Sequence, residues 1–288
     1  MRDEQGGRAA EPTLVRAAGL ALMAKDVIPT PDPRQVRFAK GALERIRRRR
    51  VREFEAMMAT GFTRTCPVCG YVGEFAPVGE PPRLDGLCPL CRSRERHRLF
   101  KLWIDRRGAI GKDMAVLHFA PEPVFEPILR GLAGTYVTAD FMRTKVDRKL
   151  NIEALELEDA SFDLIVAHQI LEHVDHRKAL AECFRCLTPG GRLVVTTPVI
   201  DAWETTYENP AIQTPRDRLL HFGQKDHTRY FGRDLKDHMR AAGFDLHEFV
   251  SVEPDVSTYA LLRGETLYEL TKPATDPKPV AKTKTRKG

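Results

Sequence analysis

From Met114 onward, short apolar runs alternate with helical stretches, and this alternation constrains the fold more than any other feature of the chain. The runs are MAVLHF (114–119), TYVTA (135–139), FDLIVAH (162–168), RLVVTTP (192–198), FDLHEFV (244–250) and STYALL (257–262). Helical patterns sit between several of them, notably at 124–132, 176–187 and 232–242. Parallel neighbours need a crossover long enough for a helix, so strands alternating with helices imply a parallel sheet covered on both faces. The helix before RLVVTTP is expected to end in Leu187-Thr188-Pro189-Gly190-Gly191, where glycine supplies a left-handed turn.

Cys66-Pro-Val-Cys69-Gly and Cys88-Pro-Leu-Cys91 form two CxxC knuckles separated by 18 residues, the spacing of a tetrahedral zinc site. Four soft thiolates fill the coordination shell of zinc and leave no place for substrate or activated water. The site reads as structural, with Cys66, Cys69, Cys88 and Cys91 as ligands. Cys183 and Cys186 form a lone CxxC inside an apparent helix and read as packing residues. The expected fold class is therefore α/β: a Rossmann-like, mostly parallel sheet with helices on both faces, preceded by a small zinc ribbon.

At 288 residues the chain has room for one large domain and one small one. Hydrophobic residues make up 42% and charged residues 30%, the balance of a soluble globular protein. The apolar run Ala17–Ala24 falls far short of the roughly 20 residues that span a bilayer, and no signal-type cleavage site follows it. The expectation is a cytoplasmic protein with no membrane span. The expected organisation is a flexible N-terminus (1–35), a basic amphipathic helix (36–64), the zinc ribbon (65–92), a connecting helix (93–113), the main α/β domain (114–270) and a disordered tail (271–288). The net charge of +6 is uneven, since Val36–Arg52 holds eight Lys or Arg residues and one acid, Glu44. Val36, Ala39, Leu43, Ile46, Phe54 and Met57 recur at helical spacing, so the basic stripe reads first as a solvated helix face and second as an attractor of phosphate.

In a doubly wound fold a nucleotide-type ligand lies at the carboxyl ends of the first strands, and an acid after the second strand holds its ribose. Asp140 ends the second run, 22 residues after His118 at the end of the first, close to the expected spacing. The alternative for Asp140 is a surface residue capping a turn.

Over about Met114–Arg263 the sequence resembles the class I S-adenosylmethionine-dependent methyltransferases. The resemblance rests on VLHFAPEP (116–123), Asp140, NIEALELEDASFDLIVAHQILEHV (151–174) and LTPGGRLVVTTP (187–198). The CPxCG ribbon and HFGQKDHTRYFG (221–232) resemble more narrowly a bacterial branch of zinc-ribbon methyltransferases. The resemblance implies S-adenosylmethionine as cofactor, held by His118, Phe119, Ala120, Pro121, Glu122, Asp140, Asn151, Ile152, His168 and Gln169. Two departures stand out. Where the family has DxGxGxG this chain has His118-Phe119-Ala120-Pro121-Glu122, in which Ala120 keeps a small side chain and Pro121 and Pro123 stiffen the loop. Asn151 stands where an Asp often meets the adenine amino group, and its amide oxygen can accept the same hydrogen bond. With the usual loop acid replaced by His118, Glu122 is the nearest carboxylate for the donor's α-ammonium group; otherwise it is a first-turn helix residue.

Methyl transfer from a sulfonium is an in-line displacement, so an enzyme contributes by aligning the reactants and removing a proton where the acceptor needs it. His168, Glu172 and His173 follow FDLIVA and are candidate catalytic residues, with Glu172 and His173 alternatively holding the next helix or loop. The insertion between RLVVTTP and the next helix adds Tyr207, His221, Asp226, His227 and Tyr230, of which His227 is the further catalytic candidate. The leading expectation is methylation of an O or N atom of a small-molecule or saccharide acceptor. RNA methylation, drawing on the basic stripe and ribbon, and a noncatalytic interaction protein are the alternatives.

Overall fold

The computed structural model describes residues 32–58, 61–79, 82–108 and 110–274, so the expectations for a flexible 1–31 and a disordered 275–288 lie outside the described residues. Helix α1 (Pro33–Met58) belongs to a first unit, Met1–Thr60. Proline at its first position costs nothing, because the amide it lacks would be unpaired there. Glu44 and Arg48 pair at 3.2 Å one turn apart. Leu43 and Ile46 of the apolar stripe remain about half exposed. The helix starts at Pro33 rather than Val36 and stops at Met58 rather than reaching 64.

The second unit runs from Gly61 onward. It opens with two small hairpins, β1 (Arg64–Thr65) with β2 (Val72–Gly73) and β3 (Ala76–Val78) with β4 (Arg83–Leu87). Helix α2 (Glu95–Arg107) follows and ends at Gly108, which is left-handed at φ 54°. Then come β5 (Ala115–Phe119), α3 (Glu126–Leu132), β6 (Thr135–Asp140), β7 (Arg148–Lys149), β8 (Phe162–His168), α4 (His176–Cys186) and β9 (Leu187–Thr196). The insertion carries β10 (Tyr207–Glu208), α5 (Pro215–Phe222) and β11 (Arg229–Tyr230). The chain closes with α6 (Leu235–Ala241), β12 (Asp245–Val250), α7 (Asp255–Tyr259) and β13 (Thr266–Thr271).

Among the described residues the main sheet has seven strands in the order β12-β13-β9-β8-β5-β6-β7. Strands β7, β6, β5, β8 and β9 are parallel, and β13 runs antiparallel between β9 and β12. Strand order reverses about β5, which creates a topological switch point between β5 and β8. Alternate residues of each strand feed two cores. Leu117, Phe119, Ile165 and Ala167 meet Leu180 and Cys183 of α4 and Met239 of α6. Val116, Leu164, Val166 and Val194 meet Leu99 and Trp103 of α2 and Leu129 of α3. Each fully buried side chain of this size contributes about 1.5–3 kcal/mol. Cys183 and Cys186 are packed in the first core, as packing residues should be.

Three details differ from the sequence expectation. STYALL is not a strand: Asp255–Tyr259 is the short helix α7, ended by left-handed Ala260. The strand beyond it, β13, falls across the boundary assigned to the tail. Its Glu269 is 7% exposed, balanced inside the sheet by the Trp103 indole at 2.9 Å and by Arg192 at 3.4 Å. Helix α4 ends at Cys186, and Leu187 is already extended and paired with Phe162; left-handed Gly190 turns the start of β9 rather than the end of the helix. No helix among the described residues is long and apolar enough to cross a membrane.

Candidate active site

The two knuckles are built alike. The amide of Gly70 donates to the Cys66 carbonyl at 2.9 Å, and that of Arg92 to the Cys88 carbonyl at 2.9 Å. Both turns need a left-handed residue, Gly70 at φ 77° and Arg92 at φ 61°. They bring Cys66 Sγ within 3.6 Å of Cys91 Sγ and Cys69 Sγ within 3.8 Å of Cys88 Sγ. All four sulfurs lie within 4.8 Å of one another. A zinc tetrahedron with Zn–S bonds of about 2.3 Å has S···S edges of about 3.8 Å, so the four thiols fit the ion.

At the switch point, the turn after β5 is tight. Ala120 is left-handed at φ 47°, and its amide donates to the Ala139 carbonyl at 2.8 Å. Gln169, after β8, is also left-handed at φ 53° and donates through its amide to the Thr196 carbonyl at 2.7 Å. Non-glycine residues in this region carry a strain cost and cluster at functional sites. Asp140 ends β6, where its Oδ1 accepts from the Met142 and Arg143 amides at 2.7 and 2.8 Å, and its Oδ2 lies 3.4 Å from the Arg143 guanidinium. The carboxylate therefore braces its own turn and keeps lone pairs to spare. Asn151 is exposed and its Oδ1 accepts from the Glu153 amide at 3.0 Å.

Several of the residues expected to border the cofactor have buried side chains. Phe119 and Ile152 are core residues, 3% and 5% exposed. His118 is fully buried, its Nδ1 2.9 Å from the Tyr136 hydroxyl. Burial lowers its pKa to about 4, so it is neutral at neutral pH. His168 is buried against Phe100, with its Nδ1 3.1 Å from the Thr196 hydroxyl, and burial lowers its pKa to about 3. A ring this weakly basic is a poor general base at neutral pH. The periodicity of β5 and β8 accounts for both, since His118 and His168 share the face that packs on α2.

Glu122 is not free. Its Oε1 lies 2.7 Å from His97 Nε2 and accepts from the Arg96 guanidinium at 2.8 Å, while Oε2 is buried without a partner. Burial alone would raise this carboxyl, but the hydrogen bond and charge of His97, with Arg96, hold it well below the usual carboxylate range. Arg96 and His97 lie in the stretch expected only to connect the ribbon to the sheet. No local motif marks them, because they meet Glu122 only once α2 has folded back over the turn.

Beside Gln169 opens a cavity of about 440 Å³, lined by Glu95, Arg96, Thr196, Thr197, Glu265 and Tyr268 among others. Glu265, missed in the sequence, is pushed up to about 7 by burial and then by the charge of Glu95. The remaining candidates form a separate group: one ligating atom each from Glu172, His173 and His227 lies within 4.8 Å of the others. In the insertion, the Tyr207 hydroxyl lies 2.8 Å from His221 Nδ1, and Trp203 stands edge-on to Tyr207 and Tyr230.

Residues 135–195, from the start of β6 into β9, match the family described as "Methyltransferase domain". Within this segment the chain is similar to methyltransferase domains. It is 33% identical over 119 residues to a Mycolicibacterium smegmatis protein named "Probable S-adenosylmethionine-dependent methyltransferase", covering 41% of each chain. It is 32% identical over 128 residues to the Salmonella arizonae "Ubiquinone/menaquinone biosynthesis C-methyltransferase UbiE", covering 40% of this chain and 50% of that one. The chain thus spans half or less of the length of these curated relatives. Among solved structures, an S-adenosylmethionine-dependent methyltransferase from Mesorhizobium loti is 15% identical with a TM-score of 0.43, over 59% of this chain and 96% of that one. The stretch matched by the methyltransferase family begins at β6 and leaves out the turn after β5, where this chain departs from the glycine-rich pattern.

Proposed function

We propose that this chain transfers a methyl group from S-adenosylmethionine to an oxygen or nitrogen of a small-molecule or saccharide acceptor. The observation that carries this reading is the switch point itself, where the Ala120 turn, Asp140 and Gln169 stand at the carboxyl ends of β5, β6 and β8. Bound there, the cofactor supplies an electrophilic methyl group. Asp140 would accept from the ribose hydroxyls, Asn151 would meet the adenine, and the backbone of Phe119–Pro121 with Gln169 and Glu122 would border the methionine portion. The cavity beside Gln169 has the size of a small-ligand pocket and suits a compact acceptor. Glu265, titrating near neutrality, is the carboxyl in that cavity best tuned to accept a proton from it. Transfer to carbon is the second reading, favoured by the name of the Salmonella relative.

Calorimetry with S-adenosylmethionine, followed by a screen of acceptors with isotopically labelled donor, tests the proposal. Micromolar binding and labelled product are expected; no binding at millimolar cofactor would leave a noncatalytic role instead. Asp140→Ala is expected to weaken cofactor binding by about 1.5–3 kcal/mol, the range for hydrogen bonds to a charged group. A dissociation constant equal to that of the wild type would remove Asp140 from the site.

We also propose that Cys66, Cys69, Cys88 and Cys91 bind one structural zinc ion, because their sulfurs already match its tetrahedron. In such sites metal-binding energy is folding energy. Cobalt-substituted wild type should show sulfur-to-metal absorption, and Cys66→Ser should lose it together with several degrees of melting temperature. Retention of both would count against the ribbon as a zinc site.

A further inference from the structure

Three side chains meet where the turn after β8 touches the insertion after β9. Glu172 and His227 are 2% and 4% exposed. Glu172 Oε2 accepts from the Thr197 hydroxyl at 2.8 Å, which fixes the carboxylate, yet Oε1 is buried with no partner. His227 Nδ1 is likewise buried with no partner. His173 Nδ1 faces the Asp226 carbonyl at 3.3 Å and carboxylate at 3.4 Å, leaving Nε2 free. The two imidazoles stand edge to face with centroids 4.8 Å apart. The strands of chain that carry them are clamped together, because both the amide and the hydroxyl of Thr228 donate to the Glu172 carbonyl, at 2.9 and 3.0 Å.

An unpartnered carboxylate oxygen and an unpartnered imidazole nitrogen each carry a desolvation cost when buried. Packing does not explain two such buried atoms in residues that, with His173, each bring a ligating atom within 4.8 Å of the others. A single cation among the three residues would satisfy both. Two imidazole nitrogens and one carboxylate oxygen suit a divalent first-row transition ion, whereas calcium or magnesium would call for more oxygen ligands. His173 also has acceptors at its Nδ1, the Asp226 carbonyl and carboxylate, the arrangement that orients a metal-ligating ring.

We infer that Glu172, His173 and His227 form a binding site for a divalent transition-metal cation, separate from the four-cysteine cluster. Three protein ligands leave coordination positions open to water or to an oxygen of a bound molecule. The ion would also fasten the insertion, through His227, to the turn that follows β8. None of this depends on methyl transfer, so the site stands or falls on metal binding alone.

The test is a titration of the full-length, zinc-loaded protein with cobalt(II), followed by visible absorption. One further equivalent should bind with a weak ligand-field band and no sulfur charge-transfer band, since no thiolate takes part. His227→Ala should abolish that band, and Glu172→Gln should weaken cobalt binding at least ten-fold, with the four-cysteine metal retained in both. His173→Ala, at a partly exposed position, serves if His227→Ala fails to fold, as judged by circular dichroism. A wild type that binds no further cobalt, as expected if a water bridges Glu172 and His227, overturns the inference. Cobalt binding that survives in the variants overturns it equally.

Discussion

Replacing Arg98 by Met is expected to lower stability by about 3–5 kcal/mol, the cost of leaving buried partners of a removed charge unsatisfied. Arg98 is fully buried. Its guanidinium donates to the carbonyls of Ser93 at 2.7 Å, Gly86 at 3.3 Å, Asp85 at 3.2 Å, Tyr259 at 2.7 Å and Ala260. These acceptors belong to the second hairpin, the second knuckle and the end of α7, so one side chain from α2 joins the ribbon to the far end of the domain. It also lies over the Phe75 ring, 4.8 Å from its centroid. Four thiolates around a bound dication would leave a net negative cluster, and Cys66, Cys88 and Cys91 are near enough for their charges to act on Arg98. Methionine keeps the volume and removes every one of these bonds. For a unit of this size the loss corresponds to a fall in melting temperature of roughly 6–20 °C. Arg98→Lys should recover little, since an ammonium on a flexible stem does not span the carbonyls that a planar guanidinium reaches. A melting temperature within about 3 °C of the wild type for Arg98→Met would show that the ribbon is held by other contacts.

What was legible in the sequence was what local spacing encodes. The knuckles, the runs ending in Phe119, Ala139 and His168, and the crossover helices all follow from patterns of a few residues, and together they determine the parallel half of the sheet. What was not legible depends on segments that meet after folding. Arg96 and His97 reach Glu122 across 25 to 26 residues of sequence. Glu269 makes β13 look like a polar edge until Trp103 and Arg192 arrive to balance it. The periodicity of β5 and β8 was visible, but which face carries α2 was not, and that face decides that His118 and His168 are buried in the core with lowered pKa. Glu172, His173 and His227 were each visible as chemistry-bearing residues. Their meeting needed the insertion to fold back over the turn after β8.

Glu122→Gln is expected to reduce affinity for S-adenosylmethionine by about ten- to a hundred-fold, the scale of one hydrogen bond to a charged group. The structure changes the reason for expecting this. Glu122 does not stand alone as a substitute acid. Arg96 and His97 engage Oε1 and keep the group ionised, and Oε2 is left buried and unpartnered beside the Ala120 turn. An α-ammonium group arriving along that turn would find one acceptor oxygen of a carboxylate held in place by Arg96 and His97 on the other. Methylthioadenosine lacks the amino-acid portion, so its affinity should be the same for wild type and variant. The stability of the apoprotein gives an independent control with its own sign. A carboxyl whose folded pKa lies below its unfolded value of about 4.5 contributes stability that is complete above that pH and is lost as the pH falls further. Wild type should therefore lose stability below about pH 4.5 more steeply than Glu122→Gln. If the variant shows the flatter acid limb yet binds both ligands as the wild type does, Glu122 serves only to hold Arg96 and His97. If both ligands weaken equally, the effect is on the shape of the turn and not on the ammonium group.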